Sequence, residues 1–122
     1  MSPADFIFAL VDRVSSLKTL YEEHINFYEE ILPHVFMGEV TKYLVASAAL
    51  LDQGKNVDEA LGAFNIILDH LEAGMAGDNK EVREMLAVSF LENLDPTSKQ
   101  VGYLEKRLGP TLTQELHKMR RS

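Results

Sequence analysis

Residues 56–94 read NVDEALGAFNIILDHLEAGMAGDNKEVREMLAVSFLENL. Two segments of this stretch share one pattern: a polar cap with a glutamate three residues on, then apolar residues at helical spacing. The first pairs Asn56 with Glu59, and the second pairs Asp78 with Glu81. The stretch therefore predicts a helical hairpin. The apolar face of its first helix comprises Val57, Ala60, Leu61, Phe64, Ile67, Leu68, Leu71 and Met75.

The second helix of this hairpin is apolar on all sides. Residues 85–91 read MLAVSFL and carry no charge. A helix that is hydrophobic all round is normally covered by neighbours on nearly every side. We therefore expect the rest of the chain to supply further helices that pack around it.

The first thirty residues also have a helical pattern. Ser2, Pro3 and Asp5 form a typical helix start, with a serine cap, a proline in the first turn and a carboxylate near the positive end of the helix dipole. Apolar residues then recur at steps of three and four as far as Ile31. This pattern fits either one long helix or two helices separated at residues 15–16. The break is favoured because two adjacent serines are poor helix formers.

The remaining segments complete an all-helical prediction. A helix is expected from Pro33 to the Gly54 stop, and two shorter ones follow on either side of Gly109 and Pro110. No segment alternates with the period of a strand. We predict an all-α fold with five or six helices, an irregular bundle built of helical hairpins in a single domain over residues 1–122. The central hairpin is expected to be HEAT-like, because residues 78–83 resemble the start of a HEAT-repeat helix.

Composition and charge restrict the function. The net charge is -7, and it is divided unevenly: residues 1–94 sum to -10 and residues 95–122 to +3. An acidic body argues against nucleic-acid binding. The chain has no cysteine, no signal-peptide pattern and no stretch long and apolar enough to cross a membrane. We therefore expect a cytoplasmic protein without a membrane or nucleic-acid partner.

No catalytic or metal-binding motif is present. The four histidines lack the spacing of three or four residues that places two ligands on one helix face, and Ser47 and Ser89 lie inside apolar helical stretches. His24 lies on an apolar stripe, which is more typical of a hydrogen-bonded core histidine than of a ligand. We expect no enzymatic activity, no metal and no cofactor.

Two acidic groups remain as candidates for binding. Asp58, Asn65, Asp69 and Glu72 align along one ridge of the first hairpin helix, which suits either a docking stripe for a basic partner or an ordinary solvated face. The second group flanks the stripe formed by Tyr21, His24 and Tyr28; it comprises Glu22, Glu23, Glu29 and Glu30.

Two motifs carry a resemblance to a known type of protein. They are Leu32-Pro33-His34 with Met37-Gly38-Glu39, and Val82-Arg83 leading to residues 88–94. Over about residues 32–116 the chain resembles a family of small acidic helical bacterial proteins of uncharacterised function, which are similar to immunity proteins. The resemblance implies a binding role and no catalytic residues.

The resemblance marks three polar residues that an apolar core does not need: His34, Glu92 and Asn93. Glu92 and Asn93 close the most apolar helix, where they either cap backbone groups or meet a ligand.

The sequence therefore predicts a non-enzymatic protein-binding module, of immunity type, that neutralises a basic partner through an acidic helical face. The expected contacts are Asp58, Asp69, Glu72, His34, Glu92 and Asn93. The alternative is a structural domain that forms a homodimer through an exposed seam of Tyr21, His24 and Tyr28.

Overall fold

The computed structural model describes residues 1–55 and 57–121. Within these ranges the chain is all-helical, and no strand occurs. The elements are α1 (Pro3–Arg13), α2 (Leu17–Tyr28), α3 (Pro33–Asp52), α4 (Val57–Ala76), α5 (Lys80–Ser89), a 3-10 turn (Leu91–Asn93), α6 (Lys99–Glu105) and α7 (Pro110–Arg121).

The described residues form seven α-helices, so the predicted number of five or six is wrong. The first thirty residues form two helices, and the favoured break at residues 15–16 is confirmed. At the other end of the chain, Gly109 and Pro110 separate α6 from α7 rather than bending one helix, because proline fits the first turn of a new helix better than the interior of an old one.

The helix starts agree with the sequence at α1 and differ at α5. Ser2 is the predicted cap, and its hydroxyl accepts from the Asp5 backbone N–H at 3.1 Å; the Asp5 side chain also accepts from the Ser2 backbone N–H at 3.0 Å, which makes the cap reciprocal. At α5 the cap is Asn79, whose side-chain oxygen accepts from the Val82 N–H at 3.0 Å, so the predicted cap at Asp78 is wrong by one residue. The cap predicted at Asn56 lies outside the described residues, as does the side chain of Val57.

The core forms where α3, α4 and α5 meet, with α1 packed against all three. Three phenylalanines are fully buried there: Phe36 of α3, Phe64 of α4 and Phe90, which directly follows α5. The apolar face predicted for α4 is confirmed for its central residues, since Phe64, Ile67, Leu68, Leu71 and Met75 are all buried.

The helix predicted to be covered on nearly every side is α5, and one side of it is open. Its neighbours are α1, α3 and α4, which bury Met85, Leu86 and Ser89. Val88 points away from all three and is 45% exposed. The helix also ends earlier than predicted, because the chain tightens into the 3-10 turn after Ser89.

The predicted central hairpin is formed by α4 and α5, which contact each other across a short turn at residues 77–79. Its likeness to a HEAT repeat stays a prediction. None of the described helices combines the length and the apolar composition that crossing a membrane requires.

Candidate functional site

A groove of about 830 Å³ runs along the outer side of α3. Its floor is formed by α3 between Val35 and Ala49, where the small residues Gly38, Ala46 and Ala49 stand beside the longer Lys42. Tyr28 and Glu39 lie at one border, and the segment from Asn93 to Val101 forms the opposite wall. We call this surface the α3 groove.

Glu39 is held at the border of the groove by a buried histidine. His24 is 1% exposed, and its Nδ1 atom lies 2.6 Å from Oε2 of Glu39. Its other nitrogen, Nε2, lies 3.0 Å from the backbone nitrogen of Leu32. A backbone N–H can only donate, so Nε2 accepts and the ring proton lies on Nδ1, which donates to Glu39. The expected role of His24 as a hydrogen-bonded core residue is confirmed.

This arrangement defines what the pair can do chemically. Both nitrogens of His24 are engaged and the ring is buried, so it offers no free atom for proton transfer to a bound molecule. The pair serves to position Glu39 instead: the ring holds one carboxylate oxygen of Glu39, whose side chain is 32% exposed and lines the groove. Glu39 is therefore a fixed hydrogen-bond acceptor for whatever occupies that surface.

The C-terminal end of α5 brings two of the predicted residues together. The backbone oxygen of Ser89 accepts from Nδ2 of Asn93 at 2.8 Å and from the Thr41 hydroxyl at 3.0 Å. The Ser89 hydroxyl lies 3.2 Å from Nδ1 of His34. Asn93 thus caps a backbone carbonyl, which is one of the two roles predicted for it. The same residue lines the α3 groove.

A serine hydroxyl beside a histidine nitrogen also supplies two of the three members of a catalytic triad. Ser89, however, belongs to the last turn of α5 and is only 6% exposed, so a substrate carbonyl has no approach to its oxygen. His34 lies outside the core on the first turn of α3. The geometry suits a link between α3 and α5 better than it suits a nucleophile.

Two aromatic side chains stand at the end of α2, and the first of them is the most exposed large apolar side chain among the described residues. Phe27 is 80% exposed, and its ring lies edge-on to that of Tyr28 at a centroid distance of 4.8 Å. Tyr28 rests in turn on the buried His24 ring at 4.7 Å and borders the α3 groove. We call Phe27 and Tyr28 the aromatic corner.

Carboxylates flank the aromatic corner along the chain. Glu22, Glu23 and Glu30 are exposed on α2 and just after it. Glu29 ends α2 in the left-handed conformation, with φ of 63°, and its N–H donates to the Ile25 carbonyl at 2.7 Å. Among the described residues other than glycine, Glu29 alone has a positive φ.

The proposed dimer seam is not exposed. His24 is buried, and Tyr21 is half-buried, with its ring packed edge-on against Phe36 at 5.9 Å. These side chains are used inside the domain, where α2 packs against α3. The prediction of an exposed seam of Tyr21, His24 and Tyr28 is therefore wrong at its centre, because His24 is buried, whereas Tyr21 is half-buried and Tyr28 is exposed. Formation of a homodimer itself stays a prediction.

The acidic ridge predicted on α4 is divided by the packing of α7. Glu72 lies under the first turn of α7, where its two carboxylate oxygens accept from the backbone N–H groups of Thr111 and Leu112, each at 2.9 Å. Its carboxylate is therefore already bonded within the domain. Asp69 remains exposed, and Asp58 borders a second groove of about 790 Å³ near Arg13 and Tyr43.

The other titratable candidates do not form a ligand cluster. Glu92 is exposed next to Asn93. Across residues 1–55 and 57–121, no three histidine, aspartate or glutamate side chains converge as a metal site would require. His70 is buried between Arg13, which is 3.0 Å from its Nδ1, and the Phe6 carbonyl, which is 3.1 Å from its Nε2. It is thus part of the contact between α1 and α4.

The sequence matches a protein family along almost its whole length. The matched residues are 7–121, and the family is described as a domain of unknown function, DUF7674. The chain belongs to this family. Neither a curated protein nor a solved structure matches the chain. The DUF7674 match agrees with the predicted membership of an uncharacterised family.

Sequence reasoning missed Glu39 and the aromatic corner as features of this DUF7674 domain. Glu39 stands among residues quoted for a resemblance, but its link to His24 spans two helices and has no signature in spacing. Phe27 gave a clearer signal: it lies off the apolar stripe of α2, whose inward residues are Leu17 and His24. An aromatic residue on the polar side of a helix marks a candidate contact site.

Proposed function

We propose that this DUF7674 protein is a non-enzymatic binding module that takes up a basic partner protein at its aromatic corner. The observation that carries the proposal is the 80% exposure of Phe27 in the middle of an acidic surface. No lysine or arginine occurs between Lys18 and Lys42, so the carboxylates there have no neighbouring cation along the chain.

The two features of this surface would contribute in different ways. Covering a phenylalanine side chain gains roughly 1.5–3 kcal/mol, which is enough for one dominant contact. Each exposed carboxylate adds only a modest, salt-dependent part of the affinity, but together the carboxylates speed the encounter with a basic protein and disfavour a variant in which their charge is reversed. A partner with an apolar pocket ringed by lysine or arginine would complement both features.

The backbone at Glu29 supports the same location. A non-glycine residue in the left-handed region costs about 1 kcal/mol relative to glycine, and such residues concentrate at functional sites. Glu29 directly follows the aromatic corner and sets the direction in which the chain leaves α2. A glutamate at this position costs stability and adds charge to the proposed surface.

An immunity-type role is the specific form of this proposal. Toxins that cleave nucleic acids have basic clefts, and an acidic helical domain in the cytoplasm could block such a cleft by offering carboxylates in place of phosphates. The support for this form is the resemblance found in the sequence together with the acidic aromatic surface.

The experiment is affinity capture from lysate of the source cells at low and high salt, followed by titration of the purified partner. Phe27→Ser and the double variant Glu23→Lys/Glu30→Lys test the corner. Asp58→Lys/Asp69→Lys makes the same change of charge on α4 and serves as the matched control.

We expect the corner variants to lose a basic partner that the wild type and the α4 variant retain, with affinity that falls as salt rises. Loss in the α4 variant alone would move the site to the ridge predicted from the sequence. Retention by every variant would refute both surfaces.

A further inference from the structure

Within the described residues, α3 carries a stripe that its neighbours cover only in part: Val35, Lys42 and Ala46 are exposed, and Gly38 and Ala49 are half-buried. Val35, Gly38, Lys42, Ala46 and Ala49 follow one another on α3 at steps of three, four, four and three, and all of them line the α3 groove. Residues with this spacing lie on one side of a helix. The stripe spans 15 residues, or about 21 Å at 1.5 Å per residue.

The small side chains of this stripe allow another helix to approach closely. Gly38, Ala46 and Ala49 project little above the backbone, so the floor is a channel between higher walls. Part of α3 beside the stripe is already covered by α6, whose Val101 also lines the groove. A groove of this length and depth suits a single helix of about four turns.

The walls of the channel carry fixed negative charge. Glu39 is held by the buried His24 at 2.6 Å on one border. Asp95 stands on the other, where its Oδ1 atom accepts from the backbone N–H and the hydroxyl of Thr97, at 2.9 and 2.7 Å. Both carboxylates are thus held in place before any partner arrives.

Neither of the two lysines near the channel forms an ion pair with Glu39 or Asp95. Lys99, at the start of α6, lies 3.8 Å from Asp52 and is directed towards that carboxylate. Lys42 alone among the residues that line the groove carries a positive charge, and it rises from the floor rather than from a wall. The walls therefore select for cations on the flanks of an occupant.

We propose that the α3 groove is the docking site for an amphipathic, basic α-helix of a partner protein. The narrow apolar face of that helix lies on Gly38, Ala46 and Ala49, and lysine or arginine residues on its flanks reach Glu39 and Asp95. This inference rests on the proposed function and deepens it, because Tyr28 belongs both to the aromatic corner and to the groove.

The most basic helix of the chain itself is not available as the occupant. α7 carries Lys118, Arg120 and Arg121 in its last turn, but its apolar residues Leu112 and Leu116 are buried in the domain. A second copy could insert α7 only by losing that packing. The occupant is therefore a helix of another protein.

The test uses two synthetic 15-residue peptides and the full 122-residue protein. Both peptides carry alanine and leucine at every third or fourth position; lysines flank this face in one peptide and glutamates in the other. Binding is followed by the backbone amide shifts in NMR spectra at increasing peptide concentration. We expect the lysine peptide to shift the amides of Gly38, Lys42 and Ala46, and the glutamate peptide to bind at least about tenfold more weakly.

Two variants with matched controls locate the binding. Ala46→Phe fills the channel and is expected to weaken the lysine peptide about tenfold, whereas Ala73→Phe on exposed α4 leaves it unchanged. Glu39→Gln keeps an oxygen for His24 but removes the charge, and it is expected to weaken binding about threefold, whereas Glu84→Gln, at an exposed position of α5, has no effect.

Equal binding of the two peptides, shifts spread outside the groove, or no binding would overturn the inference. These results are separable from the fate of the proposed function. A captured partner that needs Phe27 but tolerates Ala46→Phe would leave the binding module in place and remove the groove from it. The opposite outcome is that the groove binds the lysine peptide but the corner variants capture the same proteins as the wild type. That outcome would keep the groove as a helix-binding site and remove the aromatic corner from the proposed function.

Discussion

The carboxyl group of Glu72 occupies the space that a Cβ atom on Gly109 would fill. That position lies 2.5 Å from Cδ of Glu72 and 2.7 Å from its Cγ and Oε1 atoms. Glycine at 109 therefore lets the Glu72 side chain reach the start of α7 and accept from two backbone N–H groups there. Gly109 leaves the space that the Glu72 side chain occupies, and Glu72 accepts from backbone N–H groups that have no partner within the first turn of a helix.

This relationship predicts a non-additive pair of mutations. Gly109→Ala is expected to displace the Glu72 carboxylate and to lower the free energy of unfolding by about 1–3 kcal/mol, the range for a lost cap with buried donors. Glu72→Ala alone should cost a similar amount, and adding Gly109→Ala to it should cost little more. Urea unfolding of the four proteins measures the coupling energy. Additive losses would show that the alanine acts elsewhere.

Two glycines of α4 should respond to alanine in opposite directions. A Cβ atom at Gly74 would lie 2.5 Å from Cε2 of Phe6 and 3.0 Å from Cδ1 of Leu86, both of which are buried. Gly74→Ala is therefore expected to destabilise the domain by roughly 1–3 kcal/mol through overpacking. Gly62 has no atom within 4 Å of its Cβ position, so Gly62→Ala should stabilise by up to about 1 kcal/mol. Thermal unfolding of both variants tests the contrast, which would fail if the two changes had the same sign.

The sequence was sufficient for features that depend on one helix at a time. The break near residues 15–16 followed from two adjacent poor helix formers, and the buried face of α4 followed from spacing alone. The pattern assigns the cap of α5 to Asp78 because Glu81 stands three residues on, although Asn79 is an equally competent cap residue. The choice between them involves a distant contact, since the Asn79 amide also donates to the carbonyl of Met1.

Features that depend on contacts between helices were not predictable. Glu72 lies on the polar side of α4, and periodicity gives no sign that another helix crosses there. The same limit applies to the seam, where Tyr21 and His24 pack on Phe36 of α3 instead of facing a second copy. Helical spacing shows which side of a helix is apolar, but not which neighbour covers it.

His70 should make the stability of the domain fall in mild acid. Burial lowers the pKa of His70 below its ordinary value of 6.5; the nearby Arg13 guanidinium adds to this effect, and the hydrogen bond to the Phe6 carbonyl opposes it. The unfolded chain then binds this proton more readily than the folded protein does, so protonation favours unfolding. The contribution is complete above pH 6.5 and is lost as the pH falls through 6.5 towards the lower pKa of the folded state.

The variant His70→Gln isolates this effect. Glutamine still offers one donor to the Phe6 carbonyl and one acceptor to Arg13, but it does not titrate. We expect the melting temperature of the wild type to fall further than that of the variant when the pH is lowered from 7.5 to 5. His117→Gln, at an exposed position of α7, is the control and should follow the wild type. Parallel curves for wild type and His70→Gln would contradict the assignment.

Glu29 should be replaceable by glycine with a gain in stability. Its φ of 63° is disfavoured for a side chain and readily adopted by glycine. Glu29→Gly is expected to raise the free energy of unfolding by up to about 1 kcal/mol, although glycine also loosens the unfolded chain. Glu29→Ala keeps the unfavourable conformation and should leave stability nearly unchanged, which separates backbone strain from the loss of a carboxylate. The opposite result would be that alanine stabilises the protein as much as glycine does. Glu29 would then destabilise the domain through repulsion among the acidic side chains and not through its backbone conformation.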